Sequence, residues 1–255
     1  MAAFGERCGP RMLENTAKDK ILVIKHGALG DIVQGFDAFA SLRAGNPQAN
    51  ITLMTSPGFV SLAVMMPWFD DVITDPRASL INFVVSLRVR HQLRRDWSVI
   101  VDMQCSGRTK WYFSHFRLPT TRWIGTAPGC SDPLPNFEGV NNRLRMMKAA
   151  EMAGGIDQVA DMTWLVPYEE GADNHWQVHP VHGYAVLVPG CSSTKPQKRW
   201  PAKYFAAIGN DLLARGLTVY VVGTAEDRQA IDCVLADESD IIDLCGKTNL
   251  PELAK

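Results

Sequence analysis

Apolar positions along the chain fall into short runs separated by amphipathic stretches. Residues 21–24, Ile-Leu-Val-Ile, form an uninterrupted apolar run of the kind a buried parallel strand carries. A helical pattern follows, with Ile32, Val33, Phe36, Phe39, Ala40 and Leu42 on one side, and it stops at Gly45-Asn46-Pro47. The alternation then repeats. Strands are predicted over 51–54, 72–73 and 99–101, and helices over 59–66, 79–95, 109–116 and 140–152. Residues 167–183 are polar, aperiodic and contain Pro167 and Pro180, which reads as a linker. A second series begins beyond it, with strands over 184–188, 217–222 and 241–244, helices over 202–215 and 225–236, and a helix starting at 249. Strands alternating with helices imply parallel α/β sheets. The expected organisation is a leader over 1–19, a first domain over 20–166, a linker over 167–183 and a second domain over 184–255. Three strands leave the edges and faces of a parallel sheet uncovered. The second domain is therefore expected to be incomplete, and the sequence to be cut at its C-terminal end.

Composition narrows the function classes. Of 255 residues, 46% are hydrophobic and 21% charged, enough to bury a sizeable core. The net charge of −1 provides no basic field for nucleic acid. No run approaches the roughly 20 apolar residues that span a bilayer. The N-terminal stretch carries Glu6, Arg7, Arg11, Glu14, Lys18 and Asp19 without an apolar centre, so it reads as a disordered leader and not as a secretory signal. The six cysteines have no zinc-type or redox-type spacing. Reduced thiols in a cytoplasmic protein, with no metal and no cofactor, are the expectation.

Two loops carry candidate chemistry. After the first strand comes His26-Gly27-Ala28-Leu29-Gly30-Asp31. The glycines allow a tight turn and close approach of a ligand. Asp31 then stands at the helix start, at the carboxyl end of a strand, where ligands of open α/β sheets bind. Its carboxylate could cap free helix amides or take a proton from an acceptor hydroxyl. Gly27, Gly30 and Gly35 do not have the spacing of a dinucleotide fingerprint, which disfavours a nicotinamide enzyme. Gly246-Lys247-Thr248 imitates the end of a phosphate loop, but Ile241 stands where that motif begins with glycine. The second loop runs from Pro189-Gly190 through Ser192, Ser193, Thr194, Lys195 and Lys198 to Arg199-Trp200-Pro201. Hydroxyls, amides and lysines between a strand and a helix N-terminus make either a pyrophosphate cradle or a plain polar turn. Glu226, just beyond Gly223, reads as a carboxylate at a helix N-terminus or as a ribose ligand.

These loops, in this order, resemble glycosyltransferase family 9, the ADP-heptose:lipopolysaccharide heptosyltransferases. The resemblance is carried by residues 21–25 through 29–31, by Ile100-Val101-Asp102-Met103-Gln104, by Val188-Pro189-Gly190 through Lys198-Arg199-Trp200-Pro201, by 223–226 and by 244–253. It runs from about residue 20 to the end. It implies the GT-B fold, two Rossmann-like domains with parallel sheets facing across a cleft. It implies inverting, metal-independent transfer of a heptose or related sugar from an ADP-sugar to a lipopolysaccharide core acceptor. Asp31 is then the general base, Ser193, Thr194 and Lys198 contact the donor phosphates, and Glu226 contacts the nucleoside. Gly30, Arg108 and Lys110 are expected on the acceptor side.

The sequence departs from the family in two places. The family's Asp-Thr-Gly segment followed by histidine has no counterpart before residue 255, and His26 stands where the family often has a small hydroxyl residue. Two other readings stay beside the transferase. One is a non-catalytic remnant that binds acceptor or partner, and the other a nucleotide-sugar enzyme of the same fold, such as an epimerase. Arg88, Arg90, Arg94 and Arg95 read as a solvated helix face, or as a peripheral contact with anionic lipid at the inner membrane.

Overall fold

The computed structural model describes residues 19–78, 83–136, 139–165, 183–191, 196–236 and 240–254. The predicted leader, up to residue 18, and all but the end of the predicted linker lie outside the described residues, as do Ser193 and Thr194. The chain divides into two compact units, residues 1–165 and 166–255.

In the first unit β1 (Lys20–Ile24) leads to α1 (Leu29–Val33) and α2 (Phe36–Gly45), then β2 (Asn50–Thr55), α3 (Val60–Ala63) and β3 (Asp71–Thr74). Next come α4 (Phe83–Leu93), β4 (Val99–Asp102), α5 (Gly107–His115), β5 (Arg122–Gly125), β6 (Asp132–Pro133) and α6 (Asn142–Met152). All six strands pair in parallel, in the order β3-β2-β1-β4-β5-β6. Strand order reverses between β1 and β4. The crevice beyond the carboxyl ends of those two strands is where a sheet of this order receives ligands.

Burial explains why β1 is apolar from Ile21 onward. Ile21, Leu22, Val23 and Ile24 are all fully buried, because helices cover both faces of the sheet. Leu22, Ile24, Met54 and Ile100 pack with Val89 and Leu93 of α4 and Tyr112 and Phe113 of α5. α2 and α6 pack against each other, and α6 also meets β4 and β5.

Several elements differ from their sequence patterns. The predicted continuous helix after β1 is two helices, broken at Gln34-Gly35. The predicted helix over 59–66 is a 3-10 turn, Pro57–Phe59, followed by only the four residues of α3. α5 starts two residues early because Ser106 and Thr109 form a reciprocal capping box. α6 starts two residues late, where the Asn141 side chain accepts the Arg143 amide. Strands β5 and β6 were absent from the sequence reading. They are short, and β5 is interrupted in pattern by Arg122.

The second unit contains β7 (Tyr184–Leu187), α7 (Ala202–Ala214), β8 (Thr218–Val221), α8 (Arg228–Leu235), β9 (Ile242–Asp243) and α9 (Leu250–Ala254). β7, β8 and β9 form a parallel three-stranded sheet. Its core joins Leu187, Val219 and Val221 to Ile231 and Val234 of α8 and to Ile241 and Cys245. Tyr184, Val186 and Val188 are exposed.

Candidate functional site

The first candidate site gathers at the β1/β4 switch point. Beyond β1 the chain turns at Gly27, whose φ of +124° belongs to glycine and whose missing Cβ would stand 2.4 Å from the Phe59 ring. That turn delivers Asp31 to the third position of α1, half-buried. The cap of α1 is Ala28, with no side-chain hydrogen bond, so Asp31 does not act as the N-cap. Instead, Asn142 at the start of α6 donates from Nδ2 to Asp31 Oδ1 at 3.3 Å. Arg145, one turn along α6, donates to the Asn142 Oδ1 and, at 3.5 Å, to the Met103 carbonyl beyond β4.

Beneath Asp31 lies a charged floor absent from the sequence reading. Lys25, at the end of β1, is 1% exposed, and no carboxylate among the described residues comes within ion-pair distance. Burial lowers its pKa, partly offset by the field of Asp31 and deepened by that of Arg145. Asp102, paired in register with Ile24, is fully buried. Its Oδ1 accepts the amides of Gln104 and Cys105, at 3.1 and 2.8 Å. Burial pushes the Asp102 carboxyl up against those bonds. Burial and Asp102 together push the neighbouring Cys105 thiol up to about 11, which leaves it a poor nucleophile at neutral pH. The signal for this floor was available: a lysine closing a buried strand and a carboxylate closing its neighbour are costly unless the site uses their charge.

A second buried cluster adjoins the first. Asp75, just beyond β3, is fully buried and lies 3.0 Å from His26 Nε2. It also accepts from Tyr112 Oη, from the Arg77 amide and from two nitrogens of Arg108. Burial favours the neutral acid, but His26, Tyr112 and the Arg77 amide outweigh it and hold the carboxyl well below its usual range. Arg108, expected from the sequence to face an acceptor, thus turns its guanidinium onto Asp75 and the Ala78 carbonyl.

Lys110 does reach an opening. A pocket of about 700 Å³ lies over the ends of β4 and β5, with Cys105, Lys110, Thr126, Asn136, Asn142 and Arg145 in its wall. The described wall carries two cations and no carboxylate. Asn142 belongs both to this wall and to the Asp31 contact. Gly30 is exposed, with nothing near its missing Cβ, so space remains above the turn.

The second candidate site lies in the second unit. Lys198 is exposed at the end of a 3-10 turn, Pro196–Lys198. The adjacent Arg199 donates to Asp227 Oδ1 at 3.2 Å and to the Cys191 carbonyl at 3.3 Å, tying this loop to the turn beyond β8. Asp227 is buried, and its Oδ2 accepts both the amide and the hydroxyl of Thr224. Gly190 makes room for it, since a Cβ there would stand 2.4 Å from the Asp227 carboxyl carbon. The structural carboxylate of this turn is therefore Asp227. Glu226, one residue earlier, is exposed.

Residues 145–255 match glycosyltransferase family 9 (heptosyltransferase). A 59-residue stretch is 42% identical to part of a Haemophilus influenzae protein, which amounts to 23% of this chain and only 17% of that one. The lipooligosaccharide heptosyltransferase 2 of Haemophilus ducreyi is 23% identical over 253 aligned residues, covering 91% of this chain and 72% of that protein. The solved ADP-heptose lps heptosyltransferase II of E. coli superposes with a TM-score of 0.65 at 19% identity, covering 92% of this chain and 75% of that one. The parallel α/β sheets described above are thus those of the GT-B fold.

Proposed function

We propose that the chain, whose residues 145–255 match glycosyltransferase family 9, is a member of that family and transfers a heptose, or a related sugar, from an ADP-sugar to a lipopolysaccharide core acceptor. The observation that carries this reading is the placement of Asp31. It stands beyond β1 at the switch point of the sheet, with one oxygen on Asn142 and a cation-lined pocket beside it. The acceptor sugar occupies that pocket, and Lys110 and Arg145 face its anionic substituents. In the transfer, an acceptor hydroxyl gives its proton to Asp31 as its oxygen bonds to the anomeric carbon. The bond from that carbon to the diphosphate breaks, and the electron pair leaves with the ADP. Attack from the side opposite the leaving group inverts the anomeric centre, and no metal is invoked.

The loop around Lys198 binds the donor diphosphate, with Ser193 and Thr194 supplying hydroxyls and Glu226 reaching the nucleoside. Arg199, tied to Asp227, fixes the loop without being a ligand. Lys198→Ala is expected to weaken ADP binding about tenfold or more in calorimetry, since a charge-assisted contact is worth roughly 1.5–3 kcal/mol. Unchanged affinity removes this loop from the donor site.

The direct test is an assay of the purified chain with ADP-heptose and a heptose-free core acceptor, following the acceptor's mass and ADP release. A heptose-sized mass gain that requires the acceptor is expected. Conversion of the ADP-sugar without acceptor identifies an epimerase. Acceptor binding with no conversion identifies a non-catalytic binding protein.

A further inference from the structure

We propose that Asn142 and Arg145 are positioning residues for Asp31, acting as a two-step brace that fixes which carboxylate oxygen meets the acceptor. This rests on the reading of Asp31 as the base. An unbraced aspartate at the third position of a five-residue helix can rotate, and either oxygen can turn toward the acceptor. The Asn142 Nδ2 bond at 3.3 Å occupies Oδ1, leaving Oδ2 for the acceptor hydroxyl. An asparagine amide can itself flip and present its oxygen, which would repel a carboxylate. Arg145 prevents this, because a guanidinium only donates and therefore requires the amide oxygen on its own side. The Met103 carbonyl, 3.5 Å from the same Arg145 nitrogen, anchors the guanidinium to the end of β4.

The brace joins three elements that diverge in sequence. α6 is held by its buried Met146, Ala149 and Ala150, so its first turn is a firm support. The charges nearest this contact are Lys25 from β1, which lies in the field of Asp31, and Arg145 from α6, which donates to Asn142. Asn142 is the neutral member of the set. It orients Asp31 without adding charge, which suits a group that must accept and release a proton in each cycle.

Three variants test this: Asn142→Ala, Arg145→Met and Arg145→Lys. Asn142 is half-buried at the first position of α6, so its truncation leaves the helix cap on Asn141 intact. Asn142→Ala is expected to lower kcat about tenfold or more with the acceptor KM nearly unchanged, as misplacement of a reacting group does. Arg145→Met should lower kcat less than Asn142→Ala does and also raise the acceptor KM, since Arg145 faces the acceptor pocket, with Arg145→Lys between it and the unaltered protein. Normal kcat in Asn142→Ala overturns the brace, and so does a rise in KM alone, which makes Asn142 an acceptor contact. The contact has a readout that needs no turnover. In carboxyl carbon NMR at one neutral pH, with the Asp31 signal assigned through Asp31→Asn, Asn142→Ala should change the chemical shift of that signal. An unmoved signal overturns the brace whether or not transfer is seen, whereas absence of transfer by the unaltered protein overturns the function reading alone.

Discussion

Asp31→Asn is expected to lower kcat by about 10²-fold or more while leaving the fold and donor affinity in place. The substitution keeps size and shape. Its amide oxygen can accept the same bond from Asn142 Nδ2 that Asp31 Oδ1 accepts, and α1 loses no cap because Ala28 is the capping position. What it removes is the capacity to take the acceptor's proton. It also removes the anion whose field most supports the charge of Lys25. Lys25 can respond by giving up its proton, so the melting temperature should fall by no more than a few degrees, the effect of about 1 kcal/mol. The checks are steady-state kinetics, calorimetry with ADP and a thermal melt, taken on one preparation. Turnover within about threefold of normal would assign the proton transfer to another group.

The centre of the first unit's sheet was legible because β1, β2 and β4 are buried on both faces. That condition leaves uninterrupted apolar runs such as residues 21–24, and each is followed by a period-3.6 pattern. Legibility failed where tertiary contacts replace pattern. β6 is two residues long, and β5 carries Arg122, whose guanidinium is carried by Asp132 and the Met152 carbonyl. Nothing local marks either as a strand. The break at Gln34-Gly35 is equally silent in apolar spacing, since Ile32, Phe36 and Phe39 remain buried on either side of it.

The site was legible to the extent that it lies within one strand-turn-helix. Gly27, Gly30 and Asp31 are neighbours in sequence, and the turn shows itself. The partners of Asp31 are not neighbours: Asn142 lies 111 positions away, on a helix whose sequence pattern announces only packing. Arg108 shows the reverse relation. Its position after the Asp102 strand is right for a ligand-facing cation, yet a buried carboxylate 33 positions earlier claims it. Sequence spacing assigns a charge to a loop, but only the fold decides which opposite charge reaches it first. Likewise Glu226 and Asp227 are adjacent carboxylates, and burial under Gly190 selects Asp227 as the structural one.

That buried carboxylate, Asp75, gives the largest expected effect on stability. Asp75→Asn should cost about 3–5 kcal/mol, the range for breaking a buried ion pair by removing one partner. The reason is geometric. Asp75 is fully buried and accepts from three donors at once, the Arg77 amide, Arg108 and Tyr112, with His26 Nε2 3.0 Å away. An asparagine in its place has one acceptor oxygen and brings an NH₂ that faces donors. Arg108, whose side chain is only 17% exposed, is left without its counter-charge. For a unit of this size the melting temperature should drop by about 6–20 °C. The pH dependence carries a definite sign. The folded state holds the Asp75 carboxyl well below its usual range, so its contribution is complete above the unfolded value near pH 4 and is lost as the pH falls further, through the folded value. The stability gap between the unaltered protein and Asp75→Asn should therefore be constant from pH 5 upward and narrow steadily below about pH 4. Denaturant unfolding at several pH values measures both features. A gap under about 1 kcal/mol, or one that widens in acid, would show that Asp75 does not hold this cluster together.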